Sequence, residues 1–316
     1  MPSFARISRT TAAGCATSAA IALAFSGMES ARAALMVYEP FDLAATSVIS
    51  GQGSGFGFTG QWSNTTAYTV GDGLTFSDLP VSGGSSSGSA VGGTSTTTGI
   101  TLSRQFGVTM TGDVWSSYLV NISANTNVGN FGEMRVHNAA NSGGSNPGAR
   151  FRSEADAHSL GTETHNFAIS YEGINATAPA QAAVGPTTGV TYMIISKFTN
   201  VGSTVAANGA SASLWALTAD QYDAIKVGGI TEDELIASNV TALATDSTIA
   251  GGTYTLDPTD FVQLATLGAA NGTMTLRYDE LRYSSDLNGI FAVPEPGAAA
   301  LMIGGLALLG MRRQRR

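Results

Sequence analysis

The chain has 316 residues, a formal net charge of −8, and charged side chains at only 12% of its positions. Its 15 basic and 23 acidic residues are unevenly placed, and the part between the two terminal segments holds 8 basic and 21 acidic residues, a charge of −13. This balance argues against nucleic-acid binding, which needs clustered Lys and Arg. The one cysteine, Cys15, falls in the amino-terminal segment, so the rest of the chain must be stabilised by packing without a disulfide.

The amino terminus has the pattern of a secretory signal peptide over residues 1–33. Arg6 and Arg9 form a basic start, and residues 10–25 are mostly small or apolar. Ala31 and Ala33 then flank Arg32 as an A-x-A cleavage site. We therefore expect delivery to the Sec export machinery and a mature chain that begins at Ala34.

Residues 34–291 are expected to form one β-rich domain, since 39 glycines in the whole chain and many Ser, Thr and Asn residues separate short apolar runs. The segments 82–98 and 138–148 are predicted to be loops. Two capping-box patterns predict short helices at 222–226 and 235–238. The predicted strands are 35–38, 115–122, 133–137, 166–171, 191–198, 210–217, 261–267 and 273–283.

The last predicted strand changes the face on which its apolar residues lie. Met274, Leu276 and Tyr278 alternate with polar residues, but Leu281 and Tyr283 fall on the opposite parity. A β-bulge at Asp279-Glu280 would restore one apolar face.

Four short motifs resemble the concanavalin A-like and laminin-G-like domains. They are Tyr38-Glu39-Pro40-Phe41-Asp42, Trp115-Ser116-Ser117-Tyr118-Leu119-Val120, Ser213-Leu214-Trp215 and Asp279-Glu280-Leu281-Arg282-Tyr283. The resemblance implies an all-β, two-sheet jelly-roll sandwich whose first and last strands lie near each other. Trp115 and Trp215 are expected in the core, whereas Trp62 fits a core position and a sugar-stacking platform equally well. Many such domains bind sugars, but the fold does not determine function.

One cluster of residues could carry chemistry. In an extended segment, Glu154, Asp156 and His158 would project from one face, as the paired carboxylates of laminarinase-type glycoside hydrolases do. Here His158 stands in place of a third acidic residue, and Ala155 and Ala157 replace bulky neighbours, so the chain departs from that pattern.

The same cluster offers two kinds of metal ligand. Its carboxylates suit Ca²⁺, and His158 with His165 and a carboxylate would suit Zn²⁺, yet no dedicated spacing motif is present. The favoured interpretation is a polar loop facing water. We accordingly expect no catalytic residue, no bound metal and no cofactor, with Ca²⁺ as an open alternative.

The carboxyl terminus, residues 293–316, combines three elements in order. Pro294-Glu295-Pro296 is followed by an uncharged apolar segment from Gly297 to Met311 and then by Arg312, Arg313, Arg315 and Arg316. Fifteen residues form roughly 22 Å of helix, short of a bilayer core of about 30 Å. The arginines would stay cytoplasmic and leave the domain outside.

This tail resembles the PEP-CTERM sorting signal of Gram-negative bacteria. The resemblance implies recognition of Pro294, Glu295 and Pro296 by an exosortase, removal of the tail, and transfer of the protein to the cell surface or extracellular matrix. The short helix would hold the protein in the inner membrane only transiently, with the domain in the periplasm.

Three functions stay open at this point. The favoured one is a non-enzymatic surface or matrix protein that contacts extracellular polysaccharide. The alternatives are a laminarinase-type hydrolase acting on β-glucans through Glu154 and Asp156, and a structural matrix protein without a ligand.

Overall fold

Strands dominate the part of the chain that the structure describes. The structure is a computed structural model. It describes residues 35–63, 68–77, 79, 84–91, 99–125, 131–138, 148–152, 158–160, 163–170, 180–181, 185–202, 211–227, 230–237, 244–246, 256–267 and 273–291. Within these ranges the chain forms β1 (Leu35–Glu39), β2 (Phe58–Ser63), β3 (Tyr68–Asp72), β4 (Gly84–Val91), β5 (Gly99–Phe106), β6 (Gly112–Asn125), β7 (Phe131–Asn138), β8 (Gly148–Arg152), β9 (His158–Leu160), β10 (Glu163–Ser170), β11 (Ala180–Gln181), β12 (Thr191–Val201), β13 (Ala212–Leu217), α1 (Ala219–Lys226), α2 (Glu232–Ala237), β14 (Ala244–Asp246), β15 (Asp260–Leu267) and β16 (Thr273–Ser284).

The strands form two eight-stranded sheets with antiparallel pairing. Sheet A has the order β14-β13-β12-β6-β16-β4-β3, with β1 also paired to β16. Sheet B has the order β11-β10-β8-β7-β15-β5-β2, with β9 also paired to β10. The chain crosses repeatedly from one sheet to the other, for example from β6 to β7 and from β15 to β16. The predicted all-β, two-sheet jelly-roll sandwich is confirmed, and Leu35–Val293 form one compact unit.

The main core lies between the two sheets, because alternate residues of each strand face the opposite sheet. Tyr118 and Val120 of sheet A belong to the same buried cluster as Leu102, Val262 and Leu264 of sheet B. No disulfide is needed for this arrangement, since the apolar area between the sheets supplies the packing energy.

Sheet A also buries its second face. Trp115 and Leu119 alternate with the core residues of β6 and pack in a second cluster with Trp215. Tyr222 of α1 and Leu235 of α2 cover this cluster. Strands β6, β12 and β13 are therefore buried on both sides and appear in the sequence as largely apolar runs.

Both predicted capping boxes are present and start the two helices. The Thr218 side chain accepts from the Gln221 amide, and the Gln221 side chain accepts from the Thr218 amide. Thr231 and Glu234 make the same pair of contacts before α2. The helices begin at Ala219 and Glu232, three residues earlier than predicted, because the capping residue directly precedes the first helical turn.

The predicted bulge in β16 is confirmed. Asp279 pairs with Leu119 and Arg282 with Ser117, so β16 has one extra residue over that interval. Glu280 takes a left-handed φ of 52° there. As a result Leu281 and Tyr283 return to the main core beside Leu276 and Tyr278.

The prediction that 82–98 is entirely loop is wrong. Residues 84–91 form β4, which pairs with β16 on one side and β3 on the other. A Gly/Ser-rich sequence favours a loop locally, but hydrogen bonding to two neighbouring strands overrides that preference. Seven further strands were not predicted: β2, β3, β5, β8, β9, β11 and β14.

The glycine-rich stretch before β2 is explained by its close approach to β1. Gly55 has a φ of +70°, and a Cβ there would lie 1.8 Å from the carbonyl oxygen of Tyr38. Gly51 has a φ of +84° but no atom within 4 Å of the corresponding position. A side chain at residue 51 would therefore meet backbone strain alone, whereas a side chain at residue 55 would meet backbone strain and a collision with β1.

We expect Gly55→Ala to destabilise the protein much more than Gly51→Ala. Strain from a left-handed φ should cost each variant about 1–2 kcal/mol. Gly55→Ala must in addition push β1 and the loop apart, disturbing the bridge between Tyr38 and Phe56. Urea unfolding of the two purified variants measures the difference. Equal losses of stability would show that the close approach places no constraint on residue 55.

Candidate functional site on the outer face of sheet B

The side of sheet B that points away from sheet A carries a row of polar residues, which we call the polar face. Glu133 and Arg135 alternate along β7 with the core residues Met134 and Val136. Gln263 of β15 and Ser103 of β5 occupy the same side, because their neighbours in the strand enter the core. The alternation in Phe131–Asn138 is a signal for this face, although sequence reasoning took it only as evidence for a strand.

The side chains of the polar face form a chain of contacts across three strands. Arg135 Nη1 lies 3.2 Å from Glu133 Oε1. Arg135 Nε donates to Gln263 Oε1 at 2.6 Å, and Gln263 Nε2 donates to Ser103 Oγ at 3.0 Å. The guanidinium of Arg135 is thereby held in one orientation by a carboxylate and an amide.

Exposure differs along this row. Glu133 and Gln263 are buried, whereas 26% of the Arg135 side chain is exposed. Arg135 is therefore the charged residue of this network that a ligand in solution can reach.

Strand β8 extends the polar face by register. Arg150 is the cross-strand partner of both Glu133 and Ala168, and Arg152 is the partner of Asn166. Directly opposed residues of antiparallel strands share a face of the sheet. The positions of Arg150 and Arg152 therefore belong to the same face as Arg135.

The sequence-predicted cluster is only partly described. Glu154 and Asp156 lie outside the described residues, so their expected alignment with His158 stays a prediction. His158 is the first residue of β9, and its cross-strand partner is His165 of β10. His137 lies near the end of β7, opposite Phe261.

Metal binding stays a prediction as well. Among the residues that the structure describes, no three or more His, Cys, Asp or Glu residues are grouped so as to hold a metal ion. Glu154 and Asp156, which would complete the proposed Ca²⁺ or Zn²⁺ ligands, are not in that part of the chain.

The tryptophans are core residues. Trp115 and Trp215 stack in the second cluster, with ring centroids 5.8 Å apart, as predicted. Trp62 is 1% exposed, stacks on Phe41 and donates from Nε1 to Glu39 at 2.9 Å. Of the two roles considered for Trp62, the structure shows the core one.

The first and last motifs meet in a buried polar cluster at the β1–β16 pair. Tyr38 donates to Glu280, which accepts from Arg282 Nη2 at 2.6 Å. Arg282 Nη1 donates to the carbonyl of Ile290 at 2.8 Å. Asp279 accepts from the amides of Leu74 and Glu280 at 2.8 and 2.9 Å. Tyr38 is 6% exposed, and Asp279, Glu280 and Arg282 are at most 1% exposed. The cluster therefore joins parts of the fold and does not face a ligand.

The carboxyl-terminal segment matches a known family by sequence. Residues 292–316 match the PEP-CTERM protein-sorting motif. The chain ends in a PEP-CTERM sorting signal. Pro294, Glu295, Pro296 and the four terminal arginines fall within it, and Ala31 and Ala33 belong to the other terminal segment; all of these positions lie outside the described residues. Among the residues that are described, no helix is long and apolar enough to cross a membrane.

Solved structures resemble the chain at low identity. An endo-β-1,4-glucuronan lyase from Trichoderma reesei is 9% identical, with 81% of this chain and 98% of that chain covered and a TM-score of 0.46. A PL-14 alginate lyase from Aplysia kurodai is 10% identical (68% and 86% covered, TM-score 0.40). A glycosyl hydrolase family 16 protein from Mycobacterium smegmatis is 11% identical (79% and 99% covered, TM-score 0.40). No curated protein matches the chain by sequence. These likenesses assign no activity or residue role.

Asp279 should make the stability of the domain depend on pH. Burial raises the pKa of this carboxyl well above its usual value, against the lowering effect of its two amide hydrogen bonds. An acid with a raised pKa in the folded state favours folding most below its unfolded pKa of about 3.9, and the contribution is lost as pH rises through the folded pKa. The free energy of unfolding should therefore fall over that interval by up to about 1.4 kcal/mol per pH unit for this proton.

Denaturant unfolding from pH 4 upward tests this expectation. As pH rises, the free energy of unfolding should fall less in Asp279→Asn than in the parent chain. Asp42→Asn, which removes one exposed negative charge, is the control for general repulsion. A pH dependence that is the same in Asp279→Asn and the parent would contradict the raised pKa.

Proposed function

We propose that this is a non-enzymatic protein of the cell surface or extracellular matrix, sorted by an exosortase, whose polar face contacts exopolysaccharide. The observation that supports its localisation is the PEP-CTERM motif at 292–316, which implies export and cell-surface sorting. In this proposal residues 1–33 direct Sec export, and the terminal apolar segment holds the protein in the inner membrane until the tail is removed.

The polar face supports the binding part of the proposal. It offers the partly exposed guanidinium of Arg135, which Glu133 and Gln263 hold in place, and a fixed guanidinium can donate hydrogen bonds to the oxygen atoms of a ligand. The second face of sheet A is covered by α1 and α2, so it offers no comparable surface where those helices pack. Strands β6, β12 and β13 of sheet A have buried residues on both faces.

The contacts of Glu133 support binding over hydrolysis. A retaining glycosidase needs two carboxyl groups about 5–5.5 Å apart, one of which must donate a proton. At the described strand positions of the polar face Glu133 is the one carboxylate, and it is ion-paired with Arg135. A carboxylate held in this way positions the arginine instead of acting as a proton donor.

Replacing Pro294, Glu295 and Pro296 with alanine should leave the protein uncleaved in the membrane fraction. The reason is that the Pro-Glu-Pro element would be the part recognised by the sorting enzyme. Mass spectrometry of the protein recovered from its host measures the carboxyl end, with Val293→Ala as a neighbouring control. A mature parent protein that retains Arg312 to Arg316 would refute processing.

The purified domain should retain a subset of polysaccharides on a glycan panel without releasing products. The binding should be the same with and without Ca²⁺, since the proposed contact is made by the guanidinium of Arg135. Glu154→Gln should leave binding unchanged. Release of oligosaccharides from β-glucan that Glu154→Gln abolishes would instead establish the hydrolase, and the absence of binding to any glycan would favour a purely structural protein.

A further inference from the structure

The domain ends in a short 3₁₀ turn, Asn288–Ile290, which follows β16. The amide of Gly289 in this turn donates to Asp286 Oδ1 at 2.8 Å. The carbonyl of Ile290 accepts from Arg282 Nη1 at 2.8 Å, and the Ile290 side chain is completely buried. The backbone of the turn and its last side chain are therefore fixed to the folded domain.

Phe291 is the last residue that the structure describes, and it packs on α1. Its ring centroid lies 5.9 Å from that of Tyr222, at the edge of the second cluster, where Leu287 and Ile290 are buried. The backbone of Phe291 has a φ of −98° and a ψ of −14°, which is a helical and not an extended conformation. The chain is thus docked and bent as far as Phe291.

Two residues, Ala292 and Val293, separate Phe291 from the Pro-Glu-Pro element. An extended residue spans at most about 3.6 Å, so this spacer is at most about 7 Å long. Proteolytic enzymes act on exposed segments of a chain, and a folded segment must open locally before an enzyme can bind it. An enzyme that binds Pro294 and the residues before it therefore meets the docked end of the domain.

We propose that the docked segment, residues 286–291, restrains removal of the tail and must detach from α1 and β16 before the sorting enzyme can cleave. The proposal rests on the proposed function and names the regulation of its processing step. Where a segment opens and closes faster than it is cleaved, the rate of cleavage follows the population of the open form. Contacts that hold the segment closed then slow the release of the protein.

The docked segment is held by two kinds of contact. Phe291 is partly exposed and packs on Tyr222, so its release is the smaller opening. The carbonyl of Ile290 is hydrogen-bonded to a charged donor, Arg282, which is also ion-paired with Glu280. Hydrogen bonds to charged groups are among the stronger ones in proteins. The restraint therefore depends on closure of the domain, because Arg282 is held in place where β1 meets β16.

The test follows tail removal from the full-length chain in its host, by pulse labelling and mass spectrometry. Insertion of Gly-Ser-Gly-Ser between Phe291 and Ala292 lengthens the spacer by up to about 14 Å and leaves the docked segment intact. We expect this insertion to accelerate tail removal at least as much as Phe291→Ala does, because the enzyme no longer has to open the end of the domain.

Two substitutions weaken the docking at different distances from the motif. Phe291→Ala removes the ring contact with Tyr222 and should accelerate tail removal about fivefold. Asp286→Ala removes the acceptor of the Gly289 amide and should act in the same direction. Asp286 lies eight residues before Pro294, so its effect separates detachment of the segment from direct recognition of Phe291 by the enzyme. In the chain with the insertion, neither substitution should accelerate removal further.

Met110→Ala is the control for a general loss of stability. Met110 is 1% exposed and lies in the main core, whereas α1 packs on the outer face of sheet A. Thermal unfolding of the recovered proteins ranks the variants by stability. Met110→Ala should leave the rate of tail removal close to that of the parent, because it weakens no contact of the docked segment.

The outcomes separate this proposal from the proposed function. Unchanged rates in the insertion, Phe291→Ala and Asp286→Ala would overturn the restraint and leave sorting standing, as would an equal acceleration by Met110→Ala. Slower removal in the insertion or in Phe291→Ala would also overturn it, and would show that the enzyme binds this end of the domain. A parent chain that keeps its tail would remove both proposals.

Discussion

The pairing of the first strand with the last one is the constraint on which the rest of the structure depends. β16 lies in the middle of sheet A between β6 and β4, and β1 pairs with its bulged carboxyl-terminal half. The bulge returns Leu281 and Tyr283 to the core and sends Glu280 and Arg282 to the other side. There they meet Tyr38 from the start of the domain. Both ends of the domain are therefore held by one set of buried contacts.

The buried charges near the β1–β16 pair are held by several partners each. Glu39 accepts from Arg104, Trp62 and the amide of Phe41, while Glu280 accepts from Tyr38 and Arg282. A buried ion pair gains little net free energy over apolar residues, but removing one partner is strongly destabilising. The first and last of the four motifs that resemble concanavalin A-like domains are thus explained by closure of the fold, and a register error in β1 would leave several charges without partners.

The structure also shows why some of the fold could be predicted from the sequence and some could not. Strands of sheet A that are apolar on both faces, such as β6 and β12, were clear from their runs of Val, Ile, Leu and Tyr. The bulge was visible as a change of parity between Tyr278 and Leu281. β4 was missed because Gly and Ser carry no strand signal, and its pairing with β16 joins residues far apart in the sequence.

The polar face was missed for a related reason. Glu133 and Arg135 alternate visibly with Met134 and Val136, but Gln263 and Ser103 reach them only through the order of β7, β15 and β5 in the sheet. Sequence reasoning turned instead to Glu154, Asp156 and His158, because residues two apart along one strand are apparent without knowing the fold. A site assembled across strands needs the register, and no local pattern supplies it.

The terminal tail and the domain differ in charge, since the tail ends in four arginines and the domain is acidic. The tail carries the sorting motif, at residues 292–316, which implies export and cell-surface sorting. The domain has 8 basic and 21 acidic residues between positions 34 and 293, and this net negative charge opposes the approach of polyanions. Holding Arg135 between Glu133 and Gln263 reduces the entropy lost when it binds, since a fixed guanidinium has less rotamer freedom to lose than a solvated one. On the polar face, Glu133 and Gln263 thus order Arg135 before any ligand arrives.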